Sequence, residues 1–155
     1  MITIEDVTTI HAPIARCFEL ALNIDLEVEA AQSYQLQPIG GVTSGVIGLG
    51  QRVRWKTKQF GLWITHTSEI TALERSTFFQ DRMVQGIFRS FRHDHYFRAL
   101  NSGQTEMRDS LCFSMPVLFG GALAERFVVR KRLTQLLHAR NQTLRQTAEG
   151  DRPVF

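Results

Sequence analysis

Two cysteines in 155 residues, Cys17 and Cys112, are too few for a disulfide framework and lack the spacing of a metal motif. Neither has a base beside it in the local sequence, so a nucleophilic thiol is not expected. No apolar run approaches the roughly 18 residues of a membrane-spanning helix, so no integral membrane segment is expected. The opening MITIEDVTT has no basic segment followed by an apolar run, so no secretory signal is read there and the cytoplasm is the expected compartment. Neither sign of charge is in large excess: 18 Lys and Arg against 15 Asp and Glu leave +3. With a pI near 9.2 this mild bias does not indicate nucleic acid as a partner. Arg126, Arg130, Lys131 and Arg132 read as a solvated helix face. Gly45, Gly48 and Gly50 fit neither the dinucleotide nor the Walker pattern, because no suitable strand–helix unit follows them, and they read as a turn. There is no internal repeat, linker or low-complexity segment.

Phenylalanine, by contrast, is plentiful, with 11 residues. A content of 43% apolar and 21% charged residues is that of a single globular domain with a core, expected over 1–148 with a loosely held tail at 149–155. The most informative stretch is 78–116, which reads as three antiparallel strands. In the middle one Phe91, His93, His95 and Phe97 share one parity, and Arg92, Asp94 and Arg98 the other. In the next, Thr105, Met107, Asp109, Leu111 and Phe113 alternate with polar residues. Side chains two apart in a strand point the same way, so two histidines and an aspartate face inward among large apolar groups. A face both apolar and titratable points to a pocket. Phe79 and Met83 set the inward parity of the preceding strand, to which Asp81 belongs. A three-residue loop, Asn101-Ser102-Gly103, with Gly103 left-handed, pairs Leu100 with Gln104, and then His95 with Asp109, Phe97 with Met107 and His93 with Leu111.

Residues 2–10 read as a strand. Pro13 opens a short helix, and Asp25 caps a second one from Leu26 to Ala31. Strands follow at 33–39, 51–58, 62–72 and 75–83, with a glycine-rich hairpin at 42–50. A long helix from about Leu123 to Thr147 carries an apolar stripe of Leu123, Phe127, Leu133, Leu136, Leu137 and Leu144. Short sequential strands favour an antiparallel meander, and this helix is the element able to cover its face.

The sequence resembles the START/Bet v1-like helix-grip superfamily, and within it bacterial proteins labelled SRPBCC or polyketide cyclase/dehydrase-like. The likeness spans nearly the whole chain. It rests on the element order, on GLGQRVRWK at 48–56 and TSEIT at 67–71, and on Phe79, Asp81, Gly86, Phe88, His93, His95 and Phe97. It continues through Thr105, Met107, Asp109 and Pro116 to Arg140–Asn141. Two positions depart from it: relatives often carry proline before Phe88 and tryptophan where Phe91 stands. The resemblance implies an α+β helix-grip fold, a curved antiparallel sheet of about seven strands with two short helices after the first and a long C-terminal helix over a cavity. It implies binding of a small apolar or lipid-like ligand, not one particular reaction. The ligand pattern of the iron-binding members is not found here.

His93 and His95 have three readings: hydrogen-bonded groups in a buried network, a general acid/base pair with His95 held by Asp109, or ligands of a metal completed by Asp109 or Asp81. The expected function is binding or carrying a hydrophobic ligand without cofactor or metal. Phe79, Phe91, Phe97, Met107, Leu111 and Phe113 are the expected walls, with Asp81, His93, His95 and Asp109 at the ligand's polar end. The alternative is a cofactor-free cyclase or dehydratase. In it His95 is the base, Asp109 its orienter and His93 the donor to the developing oxyanion. A third class is an interaction protein that turns its basic helix to an anionic surface.

Overall fold

The computed structural model describes residues 1–117 and 121–150. Its strands are β1 (Ile2–Ile10), β2 (Gln37–Gly41), β3 (Arg52–Gln59), β4 (Leu62–Glu74), β5 (Phe78–Gln85), β6 (Ser90–Asn101) and β7 (Gln104–Ser114). They form one antiparallel sheet in the order β1-β7-β6-β5-β4-β3-β2. Helices α1 (Ile14–Ala21) and α2 (Ile24–Ala30) follow β1. The chain closes with a turn of helix α3 (Gly121–Leu123), a π-helical stretch Ala124–Val129, and α4 (Arg130–Glu149). This is the helix-grip architecture: α4 lies against β1, α1 and α2, and the sheet's inward residues meet the helices.

Alternation makes the strands. In β7, Thr105, Met107, Asp109, Leu111 and Phe113 are buried, and in β3, Val53, Trp55 and Thr57 are. Branched and aromatic residues at period two form one apolar face that only packing can desolvate. The main core joins Phe18, Leu20 and Leu26 from the short helices to Ile10, Phe79, Phe97, Met107 and Leu144. A smaller cluster of Ile4, Leu111, Phe113 and Leu137 ties the other part of α4 to β1 and β7.

Several local expectations are corrected. Asn23, not Asp25, caps α2, accepting from the backbone N–H of Asp25 and Leu26 at 2.9 and 3.2 Å. Asp25 instead accepts from the Gly45 N–H at 2.8 Å. Residues 42–50 do not form a hairpin. Their backbone bonds to the α1–α2 link, with Ile24 N–H to Gly45 O at 2.9 Å and Ile47 N–H to Leu22 O at 3.0 Å. The strand expected at 33–39 starts only at Gln37, because Gln32–Tyr34 continue as a 3₁₀ turn and Gln35 is left-handed. Gly41 also has positive φ, and a Cβ there would lie 2.1 Å from Arg52 O, so that edge-strand contact requires glycine.

The β6–β7 hairpin holds the expected register by another route. His95 pairs with Asp109, Phe97 with Met107 and His93 with Leu111. The loop, however, is two residues long, since Asn101 pairs with Gln104. Gly103 is not left-handed, and the Asn101 side chain accepts its N–H at 3.0 Å to close the turn. The odd residue that preserves parity is Leu100, bulged out of β6 between Ala99 and Asn101.

The C-terminal helix also differs. Leu137 and Leu144 are buried and Leu133 and Leu136 half-buried, but Leu123 and Phe127 are 71% and 65% exposed. A period of 3.6 does not carry through a π-helical stretch, whose wider turns rotate the preceding residues off the apolar stripe. The expected tail begins with Glu149, which accepts the His11 N–H at 2.9 Å, and 151–155 lie outside the described residues. No helix among the described residues is long and apolar enough to cross a membrane.

The helix therefore docks through α4 and through Val129 at the end of the π-helical stretch, and not through Leu123 or Phe127. Leu137→Ala should cost about 2–5 kcal/mol of unfolding free energy, whereas Phe127→Ala should change it by no more than about 0.5 kcal/mol. Urea unfolding of both variants checks this; equal losses would contradict the docking.

Candidate functional site

A pocket of about 750 Å³ lies between the concave sheet face, α2 and the first half of α4. Trp55, Ile70, Phe79, Phe88 and Leu136 are among its walls, and Phe60, Leu62, Trp63 and Val128 stand at its exposed side. Of the residues expected to meet a ligand, Phe79, Asp81, Phe91, His93, His95 and Leu111 line it. Phe97, Met107 and Phe113 do not. Parity puts them on the correct face, but Phe97 and Met107 pack in the core with Phe18, the Phe18 and Phe97 rings being 5.2 Å apart, and Phe113 packs with Ile4 and Leu137. The helices fill that part of the face; strand alternation carries no information on where a helix lies. Asp109 is fully buried, beneath the histidines and off the pocket surface.

The polar groups form one connected network. His93 lies opposite Asp81, and His95 opposite Asp109. The aligned hydrogen bonds run diagonally: His93 Nε2 to Asp109 Oδ1 and His95 Nε2 to Asp81 Oδ2, both 3.0 Å. His95 Nδ1 also lies 2.7 Å from Asp109 Oδ1, but off the N–H direction, so this is a close ionic approach and not an aligned hydrogen bond. The two imidazoles sit 3.7 Å apart by centroid, with Phe79 stacked on His95 at 4.0 Å. From α4, the Asn141 side-chain N–H groups donate to Asp109 Oδ2 at 2.7 Å and Asp6 Oδ2 at 2.9 Å. Arg140 donates to Glu27 Oε2 at 2.9 Å and Ala21 O at 3.0 Å, and comes within 3.8 Å of Asp109 Oδ1.

These surroundings separate the two histidines. Burial and the neighbouring charge of His95 push the His93 pKa down, outweighing its contacts with Asp109 and Asp81. Burial also opposes a charge on His95, but its contacts with Asp109 and Asp81 prevail and its pKa is raised. Burial alone would raise both carboxyl groups. The bonded imidazoles outweigh it and hold Asp81 below, and Asp109 well below, the ordinary carboxylate range. Asp81 keeps 21% of its side chain exposed, on the pocket side. The Cys17 thiol is pushed up by burial, which leaves it inert.

Arg140, Asn141, Glu27, Asp6 and His66 were not among the expected site residues. His66 lines another wall and is held neutral by burial. A signal for the helix pair was present: Arg140 and Asn141 fall between Leu137 and Leu144 on the apolar stripe, where a charge is out of place unless it has a buried partner.

Comparison with solved structures identifies the architecture. An aromatase/cyclase from a Streptomyces species superposes with a TM-score of 0.76 at 16% identity, over 96% of this chain and 93% of that one. A START superfamily protein from Mycobacterium smegmatis gives 0.69 at 10% identity, over 93% and 97%. The major latex-like protein of Panax ginseng gives 0.66 at 11% identity, over 96% and 97%. The chain has the Bet v1/START fold. At these identities the likeness concerns the fold alone. No family model matches the sequence, and no curated protein does.

Stability should depend on pH in both directions. His93, depressed below the ordinary 6.5, withdraws stability as pH falls through that value, while His95, raised above 6.5, withdraws it as pH rises through its folded pKa. Asp81 and Asp109, depressed below 3.8, stabilise the fold above that pH and lose this as pH falls through their folded values. Urea unfolding free energy should peak near pH 6.5, fall again in acid, and show a shallower acid limb in Asp109→Asn. A flat profile would disprove the coupling. A double-mutant cycle over His95→Ala and Asp109→Ala should give about 0.5–3 kcal/mol of coupling; additivity would contradict their contact.

Proposed function

We propose that this protein binds and carries a small hydrophobic, lipid-like ligand in the cytoplasm, with the ligand's polar end against Asp81, His93 and His95. The observation that supports this is the division of the pocket. Aromatic and aliphatic side chains make most of its walls, while Asp81, His93 and His95 are grouped on β5 and β6, with Glu27 and Arg140 facing the pocket from the helices. Apolar walls drive burial of the ligand at roughly 25 cal/mol per Å², and a few fixed polar groups orient it. A volume of about 750 Å³ falls within the range of small-molecule sites, roughly 300–1,000 Å³.

A second reading is favoured by one observation: two adjacent imidazoles driven in opposite directions, His93 toward the neutral form and His95 toward the charged form. Such a pair supplies a base and an acid side by side. In a cyclase or dehydratase, His93, oriented by Asp109, would take a proton beside a carbonyl, and His95 would donate to the oxyanion by exchanging its Nε2 contact with Asp81 for the substrate oxygen. These roles exchange the two histidines relative to the expectation from sequence.

Native mass spectrometry of protein purified from its host tests the carrier reading: a copurified apolar compound is expected. An apolar fluorescent probe should bind saturably, and Ala30→Trp, at the edge of the pocket, should weaken it by about tenfold or more, equivalent to about 1.4 kcal/mol. Absence of both copurified compound and saturable probe binding would rule this reading out. Turnover of a candidate polyketide-like substrate that disappears in His93→Ala while probe binding persists would favour the enzyme.

A further inference from the structure

We propose that Asp81, His93 and His95 form a binding site for a divalent transition-metal ion of the zinc(II) class, with Asp109 as the outer carboxylate that orients both imidazoles. One ring nitrogen of each histidine and one Asp81 carboxylate oxygen lie within 4.8 Å of one another. His95 Nε2 and Asp81 Oδ2, now hydrogen-bonded at 3.0 Å, would open by a few tenths of an ångström to reach the roughly 3.3–3.6 Å between neighbouring donors of a tetrahedral ion with bonds of about 2.0–2.2 Å. All three donors come from the adjacent strands β5 and β6, whose pairing fixes their spacing.

Three further features point to a cation. The donor chemistry is right: two imidazoles and a carboxylate suit zinc and its neighbours, and three protein ligands leave a position open. That position faces the pocket, because Asp81 and His93 both line it and both keep part of their side chains exposed there. The outer contacts are those of a metal centre. His93 Nε2 is bonded to Asp109 Oδ1 at 3.0 Å, which leaves Nδ1 for an ion; His95 Nδ1 lies 2.7 Å from the same oxygen without an aligned hydrogen bond, and its Nε2 meets Asp81, the third donor. Asn141 fixes the far oxygen of Asp109 at 2.7 Å. A carboxylate on the second nitrogen sets the tautomer and raises the basicity of a ligating histidine.

Charge gives the third argument. Asp6, Glu27, Asp81 and Asp109 are joined in one network through Asn141, Arg140 and the histidines. Arg140 is the buried guanidinium that offsets them, and the exposed His138 stands 3.4 Å from Asp6. With neutral imidazoles the carboxylates outnumber Arg140; Asp109 is fully buried and Asp6, Glu27 and Asp81 are partly exposed, and this excess of negative charge favours an added cation. A proton on His95 is one such cation; a divalent ion held by all three donors offsets more of the charge. The inference does not depend on the carrier reading, since it concerns the network and not the walls.

The test uses the full chain, stripped with chelator and dialysed. Titration calorimetry with zinc(II) should show one ion per chain, and cobalt(II) should give visible d–d absorption at the same stoichiometry. Asp81→Ala and His93→Ala should each weaken zinc(II) binding by about 100-fold, and Asp109→Asn by about 10–100-fold. Asp81 is partly exposed, so its variant carries the test if the buried substitutions unfold the chain. Absence of stoichiometric zinc(II) binding at about 10 μM free metal, or binding unchanged in Asp81→Ala and His93→Ala, would overturn the proposal. Uptake of the apolar probe after chelation, without zinc(II) binding, would remove the metal site and leave the carrier. Zinc(II) binding without probe uptake would do the reverse.

Discussion

One carboxylate holds this molecule's parts to one another. Asp109 has no solvent exposure and meets both histidines of β6 on one oxygen and Asn141 of α4 on the other. A bare buried carboxylate would be protonated or would unfold its surroundings; this one is held charged by its neighbours. Through Asn141 the link reaches Asp6 of β1, and through Arg140 it reaches Glu27 of α2 and the end of α1. The sheet, both short helices and α4 are thus fixed relative to one another by a polar cluster inside an otherwise apolar contact. Such a cluster adds less to net stability than apolar packing would, and removing one member costs roughly 3–5 kcal/mol because the others stay buried. What it adds is a seating of α4 defined by polar contacts to β1, β7 and α2.

That seating explains the coexistence of a pocket with a stable fold. The helix end around Leu144 and Ala148 packs in the main core and Leu137 packs on β1 and β7, while the pocket opens between the sheet face, α2 and the side of α4 that carries Arg132, Leu133 and Leu136. The closed part carries the packing and the open part carries the space. Arg140 and Asn141 lie between the two and face into the network from the closed side.

Most of the fold was legible in the sequence, because period-two alternation in β3, β6 and β7 and a Pro-initiated helix are local signals. The β6–β7 register was legible for a stronger reason: a pairing displaced by one residue turns His93, His95, Asp109 and Phe113 to opposite faces, and the hairpin loop limits larger displacements. The means of reaching it was not, since a bulge at Leu100 and a longer loop leave the same parity behind. Within the site, β-strand parity identified the face and could not say which part of it is roofed, so Phe97, Met107 and Phe113 were read as walls. The same blindness to tertiary placement missed Glu27 and Asp6, whose partner residues are 113 and 135 positions away. The exposed Phe127 was misread because the π-helical stretch breaks the period on which helical stripes depend.

That π-helical stretch, Ala124–Val129, has a consequence for how the chain can vary. Each residue of an α-helix advances about 100° around the axis. Deleting one residue there would restore ordinary winding and swing everything before it by about that angle. Arg140 and Asn141, ten or more residues downstream, would keep their seats on Asp109. The wider turn is thus a joint at which length changes can be absorbed: the rim beside the pocket can be re-aimed by a single-codon insertion or deletion while the ionic floor stays in register. Rim and floor are, in that sense, independently heritable parts of one site.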